Sequence, residues 1–388
     1  LNQWQIDVGV IRRYCDLAAP TFEWLSDLGV EFTTDGLYRS GVSSTPRGHR
    51  PEGLGERVIE VLNGHMGNHD VDMAFGTRAT GLVTEDRRVT GIRCGEDIVT
   101  CGAVVVATGG FGANANMIAA HYPNAKRAGD WTWYIGSDHA QGDGLTMMQD
   151  AGGTLAGQNR GLLIVTPGFS RDLERGLPGW VVMVNAEGRR FTDELASYSV
   201  MDGLIQKEGG KAYAILDEAA REAAKPTPTS QAYWLTDVLK DKADEGRIAR
   251  ADTLEDLADQ IGADPTVLRG TIDTYNRDCA RGSDTLFFKD PDQLRALTRG
   301  PYYAVEVRPA ILCWTGTGVR IDPDAQVLSK GGTPIPGLYA AGETVGSVHG
   351  DRYIGGGGSF GPCIVFGKVA GTEAARFAKR SNDADRRA

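Results

Sequence analysis

No stretch of eighteen apolar residues occurs in this 388-residue sequence, so no membrane-crossing helix is expected. No pair of cysteines has the C-x-x-C spacing of a zinc or dithiol site. The six cysteines (Cys15, Cys94, Cys101, Cys279, Cys313 and Cys363) are scattered. That predicts reduced, mostly buried thiols, a cytoplasmic setting and no metal centre. Positive charge is in deficit: 41 Lys and Arg face 51 Asp and Glu, a net charge of −10. A surface of that sign argues against nucleic acid as a partner. There are no internal repeats and no secretory pattern. What remains is ordinary for a globular protein, with 41% hydrophobic and 24% charged residues. The length allows two domains with real cores.

Glycine is plentiful, at 52 residues, and it clusters at junctions. Leu338 to Ala341 reads as a buried strand that stops at Gly342, with Glu343 next. Backbone without a side chain lets a ligand approach closely, and ligands of open α/β sheets sit at strand carboxyl ends. A run of glycines, Gly355 to Gly358, then Ser359 and Phe360, opens an apolar helical pattern at Ile364, Val365, Phe366 and Val369. The free amides and positive dipole end of such a helix suit an anionic or electron-rich ligand edge. A second strand, Val104 to Ala107, stops at Thr108, Gly109 and Gly110.

Between these junctions the pattern changes. Ile11 to Leu28 is an amphipathic helix by its three- and four-residue spacing, and residues 33–53 form a long polar loop. Val58 to Met66 is a short helix; Val71 to Phe75 reads as a strand. Three more short segments, ending near Cys101, read as an antiparallel meander. Asp143, in Gly142-Asp143-Gly144, is expected to cap a helix. From about Leu155 to Ala310 the glycine-ended strands disappear. A strand at Val181 to Val184 and four helical patterns follow, the last starting at Asp264-Pro265. Residues 281–300 read as a polar connection open to proteolysis.

The two junctions, together with Arg47-x-His49-Arg50-Pro51, Gly142-Asp143-Gly144 and Val184-Asn185-x-x-Gly188-Arg189-Arg190-Phe191-x-Asp193-Glu194, carry a resemblance. The chain resembles the FAD-dependent fumarate reductase, flavocytochrome c and 3-ketosteroid dehydrogenase superfamily over essentially its whole length. The resemblance implies an α/β fold: a Rossmann-like, glutathione-reductase-type FAD-binding domain with an inserted α+β cap. The flavin domain would take residues 1–156 and 314–388, and the cap 157–313. FAD is the implied cofactor. Its site would use Ala107, Thr108, Gly109, Gly110, Asp143, Gly342, Glu343, Gly358, Ser359 and Phe360. The family's N-terminal G-x-G-x-x-G unit does not precede a helix near Leu1. The expectation is therefore a chain that lacks its natural N-terminus and binds FAD weakly by itself.

The same resemblance assigns chemistry. Tyr198 stands where fumarate reductases carry the proton-donating arginine and ketosteroid dehydrogenases a base tyrosine. Tyr353 stands where the former carry a carboxylate-clamping arginine and the latter a tyrosine that hydrogen-bonds the ketone. Gly357 would add a backbone N–H to that oxygen, and Tyr38 would assist the base. Arg352 and His349 are the alternative substrate clamp. The implied activity is formation or reduction of a C–C double bond beside a ketone in a bulky apolar substrate, with an unidentified electron acceptor or donor. A fumarate-reductase-like reductase of a small unsaturated acid is the alternative. A flavin-free remnant with a binding role is a third.

Overall fold

The computed structural model describes residues 6–33, 36–40, 42, 44–169, 171, 173, 177–226, 232–346, 348–349 and 352–385. Gly350 and Asp351, which lie between the candidate clamp residues His349 and Arg352, fall outside them. In chain order the elements begin with α1 (Val8–Asp27), α2 (Leu54–Met66), β1 (Gly81–Glu85), β2 (Arg88–Cys94), β3 (Asp97–Thr100), β4 (Val104–Val106) and α3 (Ala115–His121). Next come β5 (Trp133–Tyr134), α4 (Asp143–Asp150), β6 (Leu155–Ala156), β7 (Gly161–Thr166), β8 (Val182–Val184), α5 (Tyr198–Lys207), β9 (Ala212–Asp217) and α6 (Glu218–Ala223). The rest are α7 (Thr236–Asp244), β10 (Ala249–Ala251), α8 (Leu254–Ile261), α9 (Pro265–Arg281), β11 (Tyr302–Thr315), β12 (Gly318–Val319), β13 (Gln326–Leu328), β14 (Pro334–Ala340) and α10 (Phe360–Asp385). Among the described residues no helix is long and apolar enough to cross a membrane.

The chain divides into two units. The first holds residues 1–124, 136–161 and 314–388, and the second holds 125–135 and 162–313. Residues 125–135, expected with segment 1–156, group instead with the second unit. The cause is β5, whose Trp133 and Tyr134 pair in parallel with Ile311 and Leu312 of β11. A two-residue strand leaves no periodic signal to read.

In the first unit β4 and β14 run parallel, with Ala340 opposite Val106, and β13 pairs antiparallel with β14. The meander forms as expected, in the order β1-β2-β3. A small apolar cluster of Leu25, Val30 and Val58 joins α1 to α2, with Ile364 of α10 against it. Val71 to Phe75 forms no strand, contrary to expectation. Val71, Met73 and Phe75 are exposed, and alternation makes a strand only when a neighbour takes its hydrogen bonds.

In the second unit β8, β9 and β11 are joined antiparallel, with β10 on the far side of β11. Every residue of β8 and β9 is buried, so this sheet is covered on both faces. Its core includes Leu257, Leu268 and Ile272 from α8 and α9. Sequence punctuation fixes these helices. Asp264 accepts from Thr266 N and Val267 N ahead of Pro265, and Gly282 ends α9 in the left-handed region. Residues 281–300 are mostly exposed, as a polar connection would be, but Asp284 and Lys289 within them are almost fully buried.

All six cysteines are unpaired. Burial pushes the Cys313 thiol up to about 12, and raises those of Cys101, Cys279 and Cys363. Cys15, on α1, is exposed.

Candidate functional site

The parallel register of β4 and β14 brings their carboxyl ends side by side, sealed by Ala341 N donating to Val106 O at 3.1 Å. Ala107, Thr108, Gly109 and Gly110 therefore adjoin Gly342 and Glu343. Gly109 has φ +74°, and a side-chain carbon there would meet nothing within 4 Å, so its backbone is reachable by a ligand. Gly110 is the opposite case. A side-chain carbon on it would overlap Thr315 Oγ1 and Glu343 Oε1. Thr315 N and Oγ1 both donate to Glu343 Oε1 at 2.8 Å. Burial raises the carboxyl pKa of Glu343, and the two Thr315 hydrogen bonds pull the other way.

Asp143 does not cap its helix. Gly142, in the left-handed conformation, is the cap residue, and its N–H donates to Gly110 O at 3.1 Å. The Asp143 carboxylate is instead held by both arms of Arg78, at 2.8 and 2.7 Å. Gly144 comes close to Thr108, whose hydroxyl a side chain there would overlap. The Gly142–Gly144 segment therefore shapes the first junction through its backbone.

A cavity of about 900 Å³ opens beside the start of α10. Phe22, Tyr38, Arg47, His49, Gly357 and Phe360 are among its walls. Tyr38 is held tightly there. Its N–H donates to Gly48 O at 3.2 Å, Gly48 N donates back at 2.9 Å, and a side chain on Gly48 would run into the ring. Ser40, which the sequence did not single out, accepts from Gly356 N at 2.6 Å. A β-carbon on Gly356 would lie 3.3 Å from the Tyr38 hydroxyl and 2.7 Å from Ser40 Oγ. Tyr38 and the glycine run are thus brought together. Gly357 has φ +82° with open space around it, and its carbonyl accepts from Gly361 N at 2.8 Å.

Tyr353 is buried next to this run. Its hydroxyl lies 3.3 Å from both Ser359 N, which donates to it, and Ser359 Oγ. The Ser359 amide therefore serves Tyr353. His349 completes an aromatic group, with its ring 4.9 Å from Trp314 and 5.6 Å from Tyr353. Burial drives the His349 pKa down to about 4. Arg352 is half-buried beside Tyr353. Tyr198 belongs to the second unit, where it begins α5; the Ser197 side chain caps that helix by accepting from Ser199 N at 3.2 Å.

A pH dependence follows from His349. The unfolded ring binds its proton near 6.5 and the folded ring only near 4. Between those values the unfolded chain holds more protons, so stability is lost as pH falls through this window. The loss is at most about 1.4 kcal/mol per pH unit. Urea denaturation at pH 7 and pH 5 should show a smaller pH difference in His349→Gln than in the parent. Equal differences in the two proteins would remove His349 as the source.

A family profile described as an FAD binding domain matches residues 3–359. The chain belongs to this FAD-binding family. FAD is its cofactor, and the curated relatives it matches are oxidoreductases. Among curated relatives, the fumarate reductase (cytochrome) of Shewanella frigidimarina is 31% identical over 97% of this chain. The 3-oxosteroid 1-dehydrogenase of Mycolicibacterium smegmatis is 28% identical over 85% of it. The chain spans 64% and 63% of those two proteins. The solved structure of a 3-ketosteroid-delta4-(5alpha)-dehydrogenase from Rhodococcus jostii, in complex with 4-androstene-3,17-dione, superposes with a TM-score of 0.76 at 27% identity. That match covers 95% of this chain and 80% of the other. The residues present fit the cofactor. Two glycine-ended strands lie side by side with the Gly109 backbone accessible, and a cavity adjoins the glycine-rich start of α10. The match to an FAD binding domain over residues 3–359 speaks against the flavin-free reading.

Proposed function

We propose that the chain is the flavin-binding and substrate-handling part of an oxidoreductase that forms or reduces a C–C double bond beside a ketone in a bulky apolar substrate. In this reading the first unit is a Rossmann-like FAD domain and the second an inserted α+β cap. One observation carries the choice of substrate class. His349 is buried against Trp314 and, with a pKa near 4, is uncharged at neutral pH. A neutral imidazole packed on an indole favours an apolar ligand over a dicarboxylate.

When bound, FAD supplies the two-electron redox chemistry. The chain's own residues handle the proton and the ketone. Tyr198 takes the proton from the carbon next to the ketone during dehydrogenation, or returns it during reduction. Tyr353 Oη and Gly357 N donate hydrogen bonds to the ketone oxygen, where negative charge gathers as that proton leaves. The amide of Ser359 donates to Tyr353 Oη, which strengthens the phenol as a donor. A second reading, reduction of a small unsaturated acid with Arg352 as clamp, draws on the 31% identity to the Shewanella fumarate reductase.

Two substrates separate the readings. In the FAD-loaded full chain, 4-androstene-3,17-dione should bleach the oxidised flavin, while fumarate should leave the reduced flavin unoxidised. The reverse pattern would sink the ketone reading. Glu343→Ala should in turn lose most bound FAD, because the Glu343–Thr315 pair shapes the turn at Gly110. Full flavin absorbance in that variant would refute the cofactor assignment of Glu343.

A further inference from the structure

The second unit buries four charged side chains, each no more than 3% exposed: Arg190, Lys289, Glu194 and Asp284. They sum to zero charge. Glu194 is the centre. Its Oε1 accepts from Arg190 Nε at 2.9 Å and from Met183 N at 2.8 Å. Its Oε2 accepts from Arg190 Nη2 and Lys289 Nζ, both at 2.9 Å. Arg190 reaches on to Asp284 at 2.8 Å, and its guanidinium lies 5.2 Å from the Tyr275 ring and 5.0 Å from that of Phe287. Lys289 also donates to Val181 O at 2.7 Å.

Four charges in a core are an expensive way to fill space, since apolar residues of similar volume are often at least as stable. What the charges add is a fixed place for Glu194, whose two oxygens are fully used. Strand β8 holds it through Met183, and the 284–289 turn holds it through Lys289. From Glu194 the chain reaches α5 by a continuous hydrogen-bonded turn. Leu195 N donates to Asp193 Oδ1 and Ala196 N to Asp193 O, each at 3.0 Å. Ser197 then caps α5, with Met201 N donating to Ser197 O at 3.0 Å. Tyr198 follows at once.

We propose that Glu194, locked by Arg190 and Lys289, is the positioning residue for Tyr198. The inference rests on the reading of Tyr198 as the proton-transfer group. Glu194 touches neither substrate nor flavin in this account; it acts by fixing where α5 begins. A displacement of about 1 Å at a reacting group can cost on the order of 100-fold in rate.

The test uses the FAD-loaded full chain and 4-androstene-3,17-dione deuterated at the carbons next to the 3-ketone. Glu194→Gln should keep its flavin and hold KM within about twofold, while kcat per bound flavin falls roughly 10- to 100-fold. The deuterium isotope effect on kcat should rise, because proton transfer becomes the slow step. A merely structural role would lower Tm and the yield of loaded protein but leave kcat per flavin and the isotope effect unchanged; that result overturns the proposal. If Glu194→Gln does not fold, Glu194→Met combined with Lys289→Met keeps the net charge at zero and is read the same way. Tyr198→Phe runs in parallel. If it is slow while the Glu194 variants are normal, only the positioning role is lost. If it turns over normally, or the parent protein does not oxidise the steroid, the catalytic reading fails and takes this one with it.

Discussion

Tyr198→Phe should bind FAD and substrate about normally yet turn over about 10² to 10⁴ times more slowly, the usual share of a general acid–base group. Phenylalanine keeps the ring at the start of α5 and leaves the Ser197 cap in place. Only the hydroxyl is lost. Stopped-flow measurement of flavin reduction separates the slowed step from binding. Under the small-acid reading the sensitive residue is Arg352, because a neutral amide cannot replace a two-armed guanidinium contact with a carboxylate. Near-normal flavin reduction in Tyr198→Phe, together with loss of turnover in Arg352→Gln, would decide for the acid and against the ketone.

The second large effect is on stability. Arg190→Met leaves Glu194 and Asp284 buried with Lys289 as their remaining cation in the cluster. Breaking a buried ion network by removing one partner costs about 3 to 5 kcal/mol. Glu194→Met with Lys289→Met removes one charge of each sign, so it should cost far less. Urea denaturation followed by tryptophan fluorescence can report this, since Trp180 and Trp234 lie in or against the core of the same unit. A loss below about 1 kcal/mol in Arg190→Met would show that the cluster does not hold the unit together. The same variant should release the 281–300 segment to protease, which in the parent is pinned by Asp284 and Lys289.

The glycine-ended strands were legible because several signals agree there: β-branched residues, an abrupt stop and, after β14, an acid. The ends of α8 and α9 were legible because Asp, Pro and Gly have few other uses in those positions. The buried ion cluster was not, although Arg190 and Glu194 stand in a motif that had been picked out. A charged residue in a polar stretch reads as solvated, and its partners at 284 and 289 are about ninety residues away. Asp143 misled for a related reason. A carboxylate at a helix start has a local use as a cap, but here Arg78, 65 residues earlier, takes it. Strand β11 runs for 14 residues through Pro309, which has no N–H to give a neighbouring strand and so reads as a strand end. Ser40 carried no signal at all, since one serine in a loop of serines and threonines cannot announce a contact with Gly356.

The uneven exposure of the six thiols has a practical consequence. Four have raised pKa values through burial, so they resist alkylation near neutral pH, whereas Cys15 stands exposed on α1. Its neighbour Tyr14 lines the cavity beside α10. A maleimide dye would therefore settle first on the helix that walls this cavity, one residue from its lining. Quenching of that dye by the yellow isoalloxazine would turn cofactor loading into an optical titration, with no engineered cysteine required.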